Sequence, residues 1–412
     1  MTPSFIVSSD PAALYLRWAA AWSAVMRGYF VVVTVWWVVD ADLSPLQLVL
    51  LGTALEVSVL LGEVPTGVVA DTFSRKWSLV ISQIIMAVGI VLSGLTTDFI
   101  PLVVSQVLWG LGWTFTSGAD VAWITDELAH VDRRGEVDRL LATAAKWRLY
   151  GGVVGMTIFG LTGWVLGVDV AIVAAGATFV LVAGFVAVGF PEDGFQRSES
   201  DHFATSMAIL RTGISLTRRD HQILLVLAAT VLFNSGAEAV DRLFARHLVD
   251  LGLPSDLDPI VWITALTVVG SLAGVLALRW VESRIDVEGA PRRLYTGAVA
   301  LAVLGTAVMA AAPEIFTGLA GTFVTRGVAW SVIPVVATTW VNQRATSDVR
   351  ATVQSFLGQA ESIGEIGGGI ALGSLAEAAG VPLAFTMSAS LFALAGMLVY
   401  RSRAGSAVVE VS

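Results

Sequence analysis

The sequence predicts an all-α polytopic membrane protein in which twelve transmembrane helices form two pseudo-symmetric six-helix bundles. The first observation behind this prediction is composition: of 412 residues, 56% are hydrophobic and only 14% are charged. Soluble domains carry roughly 25% charged residues, so lipid must replace water over most of this surface. The second observation is a series of apolar runs, and the third is a regular alternation in the charge of the loops.

Each apolar run is long enough to cross a bilayer, which takes about 20 residues in a helix. A polar stretch that begins at Pro191 separates the first six runs from six more. The runs predict helices near residues 14–39, 46–70, 77–96, 101–125, 140–165, 169–190, 221–247, 258–281, 293–312, 315–341, 351–375 and 382–401.

The loops between these runs predict the orientation of the chain. Lys and Arg occur in alternate loops, such as Arg75 and Lys76 after the second run, whereas the intervening loops carry only acids, such as Asp42 and Glu314. Basic loops stay on the cytoplasmic side of a membrane. The pattern therefore predicts a multi-pass protein of the cell (inner) membrane with both termini in the cytoplasm, which requires an even number of helices.

The two halves are predicted to be copies of one unit. Gly110 and Trp113 in the fourth run match Gly327 and Trp330 in the tenth at a constant offset of 217 residues. Internal repeats of this kind are common in transporters. The loop between the halves is either a flexible linker or a short helix on the inner membrane surface. The predicted organisation is an N-terminal bundle at 1–190, a cytoplasmic loop at 191–220, a C-terminal bundle at 221–401 and a cytoplasmic tail at 402–412.

The composition also argues against several classes of function. The chain has no Cys, and its four His are scattered, so we expect no disulfide, no metal site and no cofactor. A net charge of −9 argues against nucleic acid as a partner. The sequence lacks the phosphate-binding, zinc-protease and serine-hydrolase motifs, so we do not expect an enzyme. The expected partners are a small-molecule substrate and the lipid bilayer, and we expect a monomer.

The loop after the second run carries the most specific motif. It has Gly67, then Asp71 four residues on, then the basic pair Arg75 and Lys76. A glycine permits close helix approach, and a carboxylate at a helix end can cap an N-terminus or meet a guanidinium. This pattern resembles the signature loop of the major facilitator superfamily. With the preceding residues, which begin at Glu63, it most resembles the twelve-helix drug–proton antiporter branch.

The resemblance implies that this loop is a conformational latch between the two halves on the cytoplasmic side, with Asp71 near the start of the eleventh helix. The equivalent position in the second half is Leu278, so the latch is expected to be asymmetric. Two features of the antiporters are missing. An Arg of the fourth helix is replaced by Gln106, and the fifth helix lacks a Gly-Pro pair. These departures bear on antiport and leave the transporter prediction intact.

Ionisable residues inside the predicted helices are candidate functional groups. Each costs at least a few kcal/mol in a bilayer, so it should face a cavity or a partner. Because buried carboxyl groups can exchange protons, we predict Glu361 and Asp120 as the leading proton carriers, with Glu56 behind them. In the alternative interpretation such acids form internal ion pairs, for example Asp120 with Lys146 or Arg148, that only fix helix packing.

The resemblance also implies a substrate cavity lined by the first, fourth, seventh and tenth helices. The arginines of these helices could attract an anionic group on a substrate or hold nearby acids ionised, and the tryptophans could form an apolar wall. The candidates for this cavity are Arg27, Trp113, Glu238, Arg326 and Trp330.

Glycines recur in the fifth and eleventh runs at spacings that place them on one helix face. Such small-residue faces predict close contact between helices in a membrane. The glycines are Gly151, Gly155, Gly160, Gly364, Gly368, Gly369 and Gly373.

These observations predict secondary active transport by alternating access, with proton-coupled export of hydrophobic or amphipathic compounds of the drug-efflux type. One alternative is an uptake symporter or facilitator for a small metabolite. Another is a membrane receptor or scaffold that transports nothing, which is less favoured because no predicted segment forms a soluble signalling domain.

Overall fold

The computed structural model describes residues 10–197, 221–285, 287, 289–342 and 347–401. The predicted tail at 402–412 and the larger part of the predicted loop at 191–220 lie outside the described residues.

The described chain contains twelve long helices and no strand. Their order and spacing follow the twelve apolar runs, so the predicted all-α fold is confirmed. The helices are α1 (Pro11–Asp40), α2 (Pro45–Thr72), α3 (Arg75–Gly94), α4 (Phe99–His130), α5 (Arg134–Leu166), α6 (Val168–Gly189), α7 (His221–Asp250), α8 (Pro259–Glu282), α9 (Ala290–Ala310), α10 (Ile315–Asn342), α11 (Ser347–Ala379) and α12 (Val381–Arg401).

Eleven of the twelve helices are long and apolar enough to cross a membrane. The exception in the described part is α11, which carries Glu361 and Glu365 among glycines and other small residues. Its apolarity is lowered by the glycines that were predicted to serve helix packing, by the predicted proton carrier Glu361 and by Glu365.

The chain divides into two compact units, and the division falls inside α2. In the described part, unit 1 contains residues 10–41 and 57–197, and unit 2 contains residues 42–56 and everything from 221 onward.

Contacts of the first half of α2 explain this division. Its Val49 lies against Gly373 of α11, where an added Cβ would approach the valine side chain at 2.9 Å. The backbone N–H of Leu46 donates to Oε2 of Glu377, also in α11, at 3.1 Å. A carboxylate at a helix N-terminus satisfies a free N–H group and is favoured by the helix dipole. Residues 42–56 are therefore packed as part of unit 2.

Short polar side chains fix where several helices begin. Asp10 caps α1 through a hydrogen bond from the N–H of Ala12 at 3.1 Å, and Pro11 follows at the first helical position, where its missing N–H costs nothing. Ser74 caps α3 by accepting from the N–H of Trp77 at 2.9 Å. These caps replace the backbone partners that the first turn of a helix lacks.

One helix is interrupted where function was predicted. The two segments of α4 meet at Gly118, which has φ of +80°. A glycine tolerates this left-handed backbone without steric cost. The second segment begins at Ala119, so a new helix N-terminus lies within α4.

The predicted glycine faces form close helix contacts in both units. In unit 1, a Cβ at Gly151 or Gly155 of α5 would overlap the backbone carbonyls of Ala20 and Ala24 in α1. In unit 2, a Cβ at Gly364 of α11 would lie 2.6 Å from the carbonyl oxygen of Val231 in α7. These helices approach so closely because glycine leaves the backbones free to touch.

Replacing Gly155 by Ala should destabilise unit 1 by about 1–3 kcal/mol, because the added methyl group would force α1 away from α5. The matched control is Gly184→Ala in α6, where an added Cβ meets no atom within 4 Å. The control should be neutral or slightly stabilised, since Ala favours helix over Gly. Thermal unfolding of both purified variants in detergent measures the difference; equal transition temperatures would contradict the packing argument.

Candidate functional site

The loop between α2 and α3 is held within unit 1 by contacts of Arg75. Its guanidinium donates to the carboxylate of Asp126 and, through Nη1, to the carbonyl oxygen of Ala122 at 2.9 Å. It also pairs with Asp71 at 3.5 Å. The network joins the end of α2, the start of α3 and the second segment of α4. Three elements of the predicted latch region are thereby fixed to one another.

Residues 190–195, which we call the strap, fold back from the end of α6 onto this loop. The carboxylate of Glu192 accepts hydrogen bonds from Oγ of Ser74 at 2.9 and 2.6 Å. It also accepts from the backbone N–H of Lys76 at 2.9 Å. Glu192 therefore caps the N-terminus of α3, where negative charge is favoured by the helix dipole.

Two further contacts hold the strap against α4. Trp123 stacks on Phe190 with ring centroids 4.1 Å apart, and its Nε1 donates to the carbonyl oxygen of Pro191 at 2.8 Å. The N–H of Gly194 donates to Glu127 at 2.9 Å. The beginning of the predicted loop at 191–220 is thus packed and hydrogen-bonded; its remainder lies outside the described residues.

At two residues of the predicted latch, Gly67 and Lys76, the described contacts differ from those expected. A Cβ at Gly67 would meet no atom within 4 Å, so the close helix approach expected at this glycine is absent from the described structure. The described hydrogen bond of Lys76 comes from its backbone. The implied contact of Asp71 with the eleventh helix would join the two units, and it stays a prediction.

Asp120 lies in the first turn of the second α4 segment and is 6% exposed. Its Oδ2 accepts from Arg148 of α5 at 2.6 Å and from the hydroxyl of Tyr15 at 3.0 Å. Arg148 also lies over the rings of Tyr15 and Trp18, at 5.9 and 5.8 Å from their centroids. The structure thus contains the ion pair of the alternative interpretation. The break at Gly118 gives Asp120 a helix N-terminus as well as a cation.

Arg27 lies near the middle of α1, and its side chain is exposed. Its aliphatic part lies against Gly152 of α5, where an added Cβ would overlap it. Within the described residues, the guanidinium makes no hydrogen bond or ion pair. It contrasts in this respect with Arg75 and Arg148 of the same unit.

An aromatic row lies on the neighbouring face of α1. Trp22 contacts Trp113 of α4 with centroids 5.5 Å apart, and Trp113 stacks on Trp109 at 5.8 Å. Phe30 meets Trp109 edge-on at 5.3 Å. Trp113 is 36% exposed, whereas Trp109 is buried. Trp113 therefore presents a partly open aromatic surface, and its role in a cavity wall stays a prediction.

Unit 2 contains a cluster of four glutamates around one arginine. Glu238 and Arg242 of α7 form an ion pair at 2.7 Å, with side chains 8% and 13% exposed. Gly52 of α2 faces this pair, and a Cβ there would overlap both side chains. The other three carboxyl groups come from Glu56 of α2 and from Glu361 and Glu365 of α11.

Glu56 and Glu365 form a pair within this cluster. Their carboxyl groups lie within hydrogen-bonding reach of each other, and each interacts electrostatically with Glu238 and Glu361. Ionised carboxylates only accept hydrogen bonds, so a bond between the two requires one bound proton. Glu361 lies at the edge of the cluster with an exposed side chain.

Arg326 and Trp330 of α10 have partners within unit 2. Arg326 pairs with Asp241 of α7 at 3.0 Å and lies over the ring of Phe244 at 3.6 Å. Trp330 packs against Phe233 at 6.1 Å in the same unit. Both residues serve helix packing in this structure. Arg326 is 27% exposed, so it also keeps some access to water.

Two functional candidates were missed by the sequence analysis. Glu365 stands four residues after Glu361, which places both on one face of α11, and that spacing could have revealed it. Glu192 gave no comparable signal, because its partners Ser74 and Lys76 are more than a hundred residues away. Among the described residues, no group of three His, Asp or Glu side chains has an arrangement suited to a metal ion.

Comparison with known proteins identifies the family. Residues 18–364 match the family described as Major Facilitator Superfamily. An uncharacterized MFS-type transporter of Bacillus subtilis (strain 168), YxaM, is 22% identical over 389 residues, covering 92% of this chain and 93% of that protein.

Solved structures share the fold at low identity. The nucleoside transporter NupG aligns with a TM-score of 0.79 at 14% identity, covering 96% of this chain and all of that one. A bacterial homologue of the human lysosomal transporter Spinster aligns with a TM-score of 0.71 at 15% identity, covering 95% and 97% of the two chains. The chain therefore belongs to the major facilitator superfamily and is a multi-pass membrane transporter of that superfamily.

Proposed function

We propose that this chain couples proton movement to the export of hydrophobic or amphipathic small molecules by alternating access. The observation that carries the proposal is the carboxyl cluster of unit 2. The cluster contains four acids and one cation, Arg242, so it has three negative charges in excess when every acid is ionised. Protons are the species that can remove this excess one at a time.

The physical cost of the excess charge supports a proton site. Two carboxylates about 4 Å apart repel by about 4 kcal/mol at an effective dielectric constant of about 20. A shared proton removes that repulsion and supplies a hydrogen bond between Glu56 and Glu365. Of the three acids predicted as carriers, Glu56 has this partner, whereas Asp120 is neutralised by Arg148. We therefore propose the Glu56–Glu365 pair as the coupling site, with Glu361 as its exposed neighbour.

The position of the cluster gives the proton an effect on structure. Glu56 is the last α2 residue of unit 2, and Glu365 belongs to α11. Loss of the shared proton places like charges between the two helices and weakens their contact. In a transport cycle that alternates between the protonated and deprotonated forms, the packing of α2 against α11 would alternate between stronger and weaker. A coupled transporter needs such a change between two states.

Export, rather than uptake, rests on the resemblance of the loop from Glu63 to Lys76 to the drug–proton antiporter branch. The relatives do not decide the substrate. One is described as a nucleoside transporter and another as a homologue of Spinster, and their identities of 14% and 15% carry the fold alone. Placement in the cell membrane with both termini in the cytoplasm rests on the alternating charges of the loops.

We also propose that the loop containing Gly67, Asp71, Arg75 and Lys76 acts as the latch of the transport cycle. The network of Arg75 with Asp71 and Asp126 supports a rigid loop, and the strap supports it through Glu192. A loop fixed in this way can transmit force, because its elements move together.

Glu365→Gln should abolish pH-driven accumulation and leave downhill exchange of substrate, because the cluster can no longer release its proton at that position. The measurement uses proteoliposomes with an imposed pH gradient and a panel of anionic, neutral and cationic fluorescent amphiphiles. The matched control is Glu314→Gln, an exposed acid of unit 2 outside the helices. Unchanged pH-driven accumulation in Glu365→Gln would refute the coupling site. Movement of compound and protons in the same direction would refute export.

Asp71→Asn should reduce the transport rate at least about tenfold while insertion and abundance stay normal, since the loop keeps its fold through Asp126 and Glu192 but loses the latch carboxylate. Asp98→Asn is the control, because Asp98 is exposed and its side chain makes no capping hydrogen bond. Transport by Asp71→Asn at the rate of wild type would show that this loop is not a latch.

A further inference from the structure

The guanidinium of Arg27, which has no partner among the described residues, indicates what kind of substrate the protein binds. Arg27 lies near the middle of a helix long enough to span the membrane, and it has neither an ion pair nor a hydrogen bond within the described residues. A cation at that depth is costly unless water or an anion compensates it. Arg75, Arg148, Arg242 and Arg326 each have a carboxylate partner in their own unit.

The neighbours of Arg27 within unit 1 define the direction in which it is exposed. Its aliphatic part lies along Gly152 of α5. On the same face of α1, Phe30 meets Trp109 of α4 edge-on at 5.3 Å. The exposed side chain of Arg27 therefore lies beside α5 and on the face of α1 that carries Phe30.

An aromatic surface lies within reach of the same ligand. Phe30 follows Arg27 by three residues, which places the two side chains on one face of α1 and about 4.5 Å apart along the helix axis. Phe30 meets Trp109, which stacks on Trp113, and Trp113 is 36% exposed. A molecule with an aromatic group close to an acidic group can contact both this surface and Arg27.

We infer that Arg27 binds an anionic group of the transported molecule, whose aromatic part packs against Phe30 and Trp113. The substrate class is thus an aromatic amphiphile with a carboxylate or sulfonate. This inference rests on the proposed transport function and narrows it. A guanidinium suits such a group because its planar fork can donate two parallel hydrogen bonds to two oxygens.

The test measures binding to the purified protein in detergent, without a pH gradient. Energy transfer from tryptophan is followed to three probes that share one fluorophore: dansylglycine, its uncharged amide, and a dansyl derivative that ends in a trimethylammonium group. Dansylglycine should bind saturably and at least about tenfold more tightly than the other two, the scale of one charge-assisted hydrogen bond.

Variants separate the role of Arg27 from a general effect on folding. Arg27→Gln should remove the preference for the anionic probe, and Arg27→Lys should retain part of it. Arg17→Gln, which removes an exposed arginine from the same helix, should leave the preference unchanged. Trp113→Ala should weaken all three probes by a similar factor, since it removes the aromatic surface and leaves the charge.

Three results would overturn the inference: equal affinity for the three probes, an unchanged preference in Arg27→Gln, or no saturable binding of dansylglycine. None of them depends on proton coupling, which appears only in the vesicle assay. If the protein prefers the anionic probe but shows no pH-driven accumulation in vesicles, the proposed coupling is contradicted and the substrate class stands. If it shows pH-driven accumulation in vesicles but no preference for the anionic probe, only the substrate class is contradicted.

Discussion

The cost of an ionised group in a bilayer is the constraint on which the polar contacts of this chain depend. A charge at the membrane centre costs about 2.5–3.5 kcal/mol on insertion scales, so it needs a partner of opposite charge or a functional role that offsets this cost. Asp120 has Arg148 and the hydroxyl of Tyr15, and Glu238 has Arg242. The glycine at position 52 follows from the same constraint, because Gly52 has no side chain where the Glu238–Arg242 pair lies against α2.

Helix α2 connects the candidate proton site with the loop proposed as a latch. Glu56, near its middle, belongs to the carboxyl cluster of unit 2, and Asp71, near its end, belongs to the Arg75 network of unit 1. Fifteen residues of the same helix separate them in sequence.

Pro65 lies between these two residues and has no N–H to donate within the helix. Bending of α2 at Pro65 therefore costs less than elsewhere in this helix.

The helices were predicted well from the sequence, because whether a helix can span a bilayer depends mainly on the length of one continuous apolar run. The glycine faces at Gly155 and Gly364 were predicted for the same reason, since helical spacing alone places them on one side. The choice between functional carboxylate and ion pair at Asp120 was left open, because Lys146 and Arg148 are equally near in sequence. Only the packed structure selects Arg148.

Residues whose partners are distant in sequence were missed altogether. Glu192 caps α3 although it follows α6 in the chain. Glu365 is a candidate because it pairs with Glu56, which lies about three hundred residues earlier. Gly67 shows the opposite error. The motif suggested a close helix contact, and an added Cβ there would meet nothing within 4 Å. A motif identifies a family, but it does not specify which contacts are present in one structure.

The two units leave charges of opposite sign without a partner. In the described part of unit 1, Arg27 in the middle of α1 has no ion pair, and the described part of unit 2 has more acids in the cluster with Arg242 than that arginine can neutralise. Neither imbalance is removed by a described residue of the same unit. In the proposed cycle, protons remove the excess negative charge of unit 2 one at a time, and an anionic group of the substrate pairs with Arg27. Binding of protons in one unit and of an anionic solute in the other is the electrostatic basis that we propose for linking their movements.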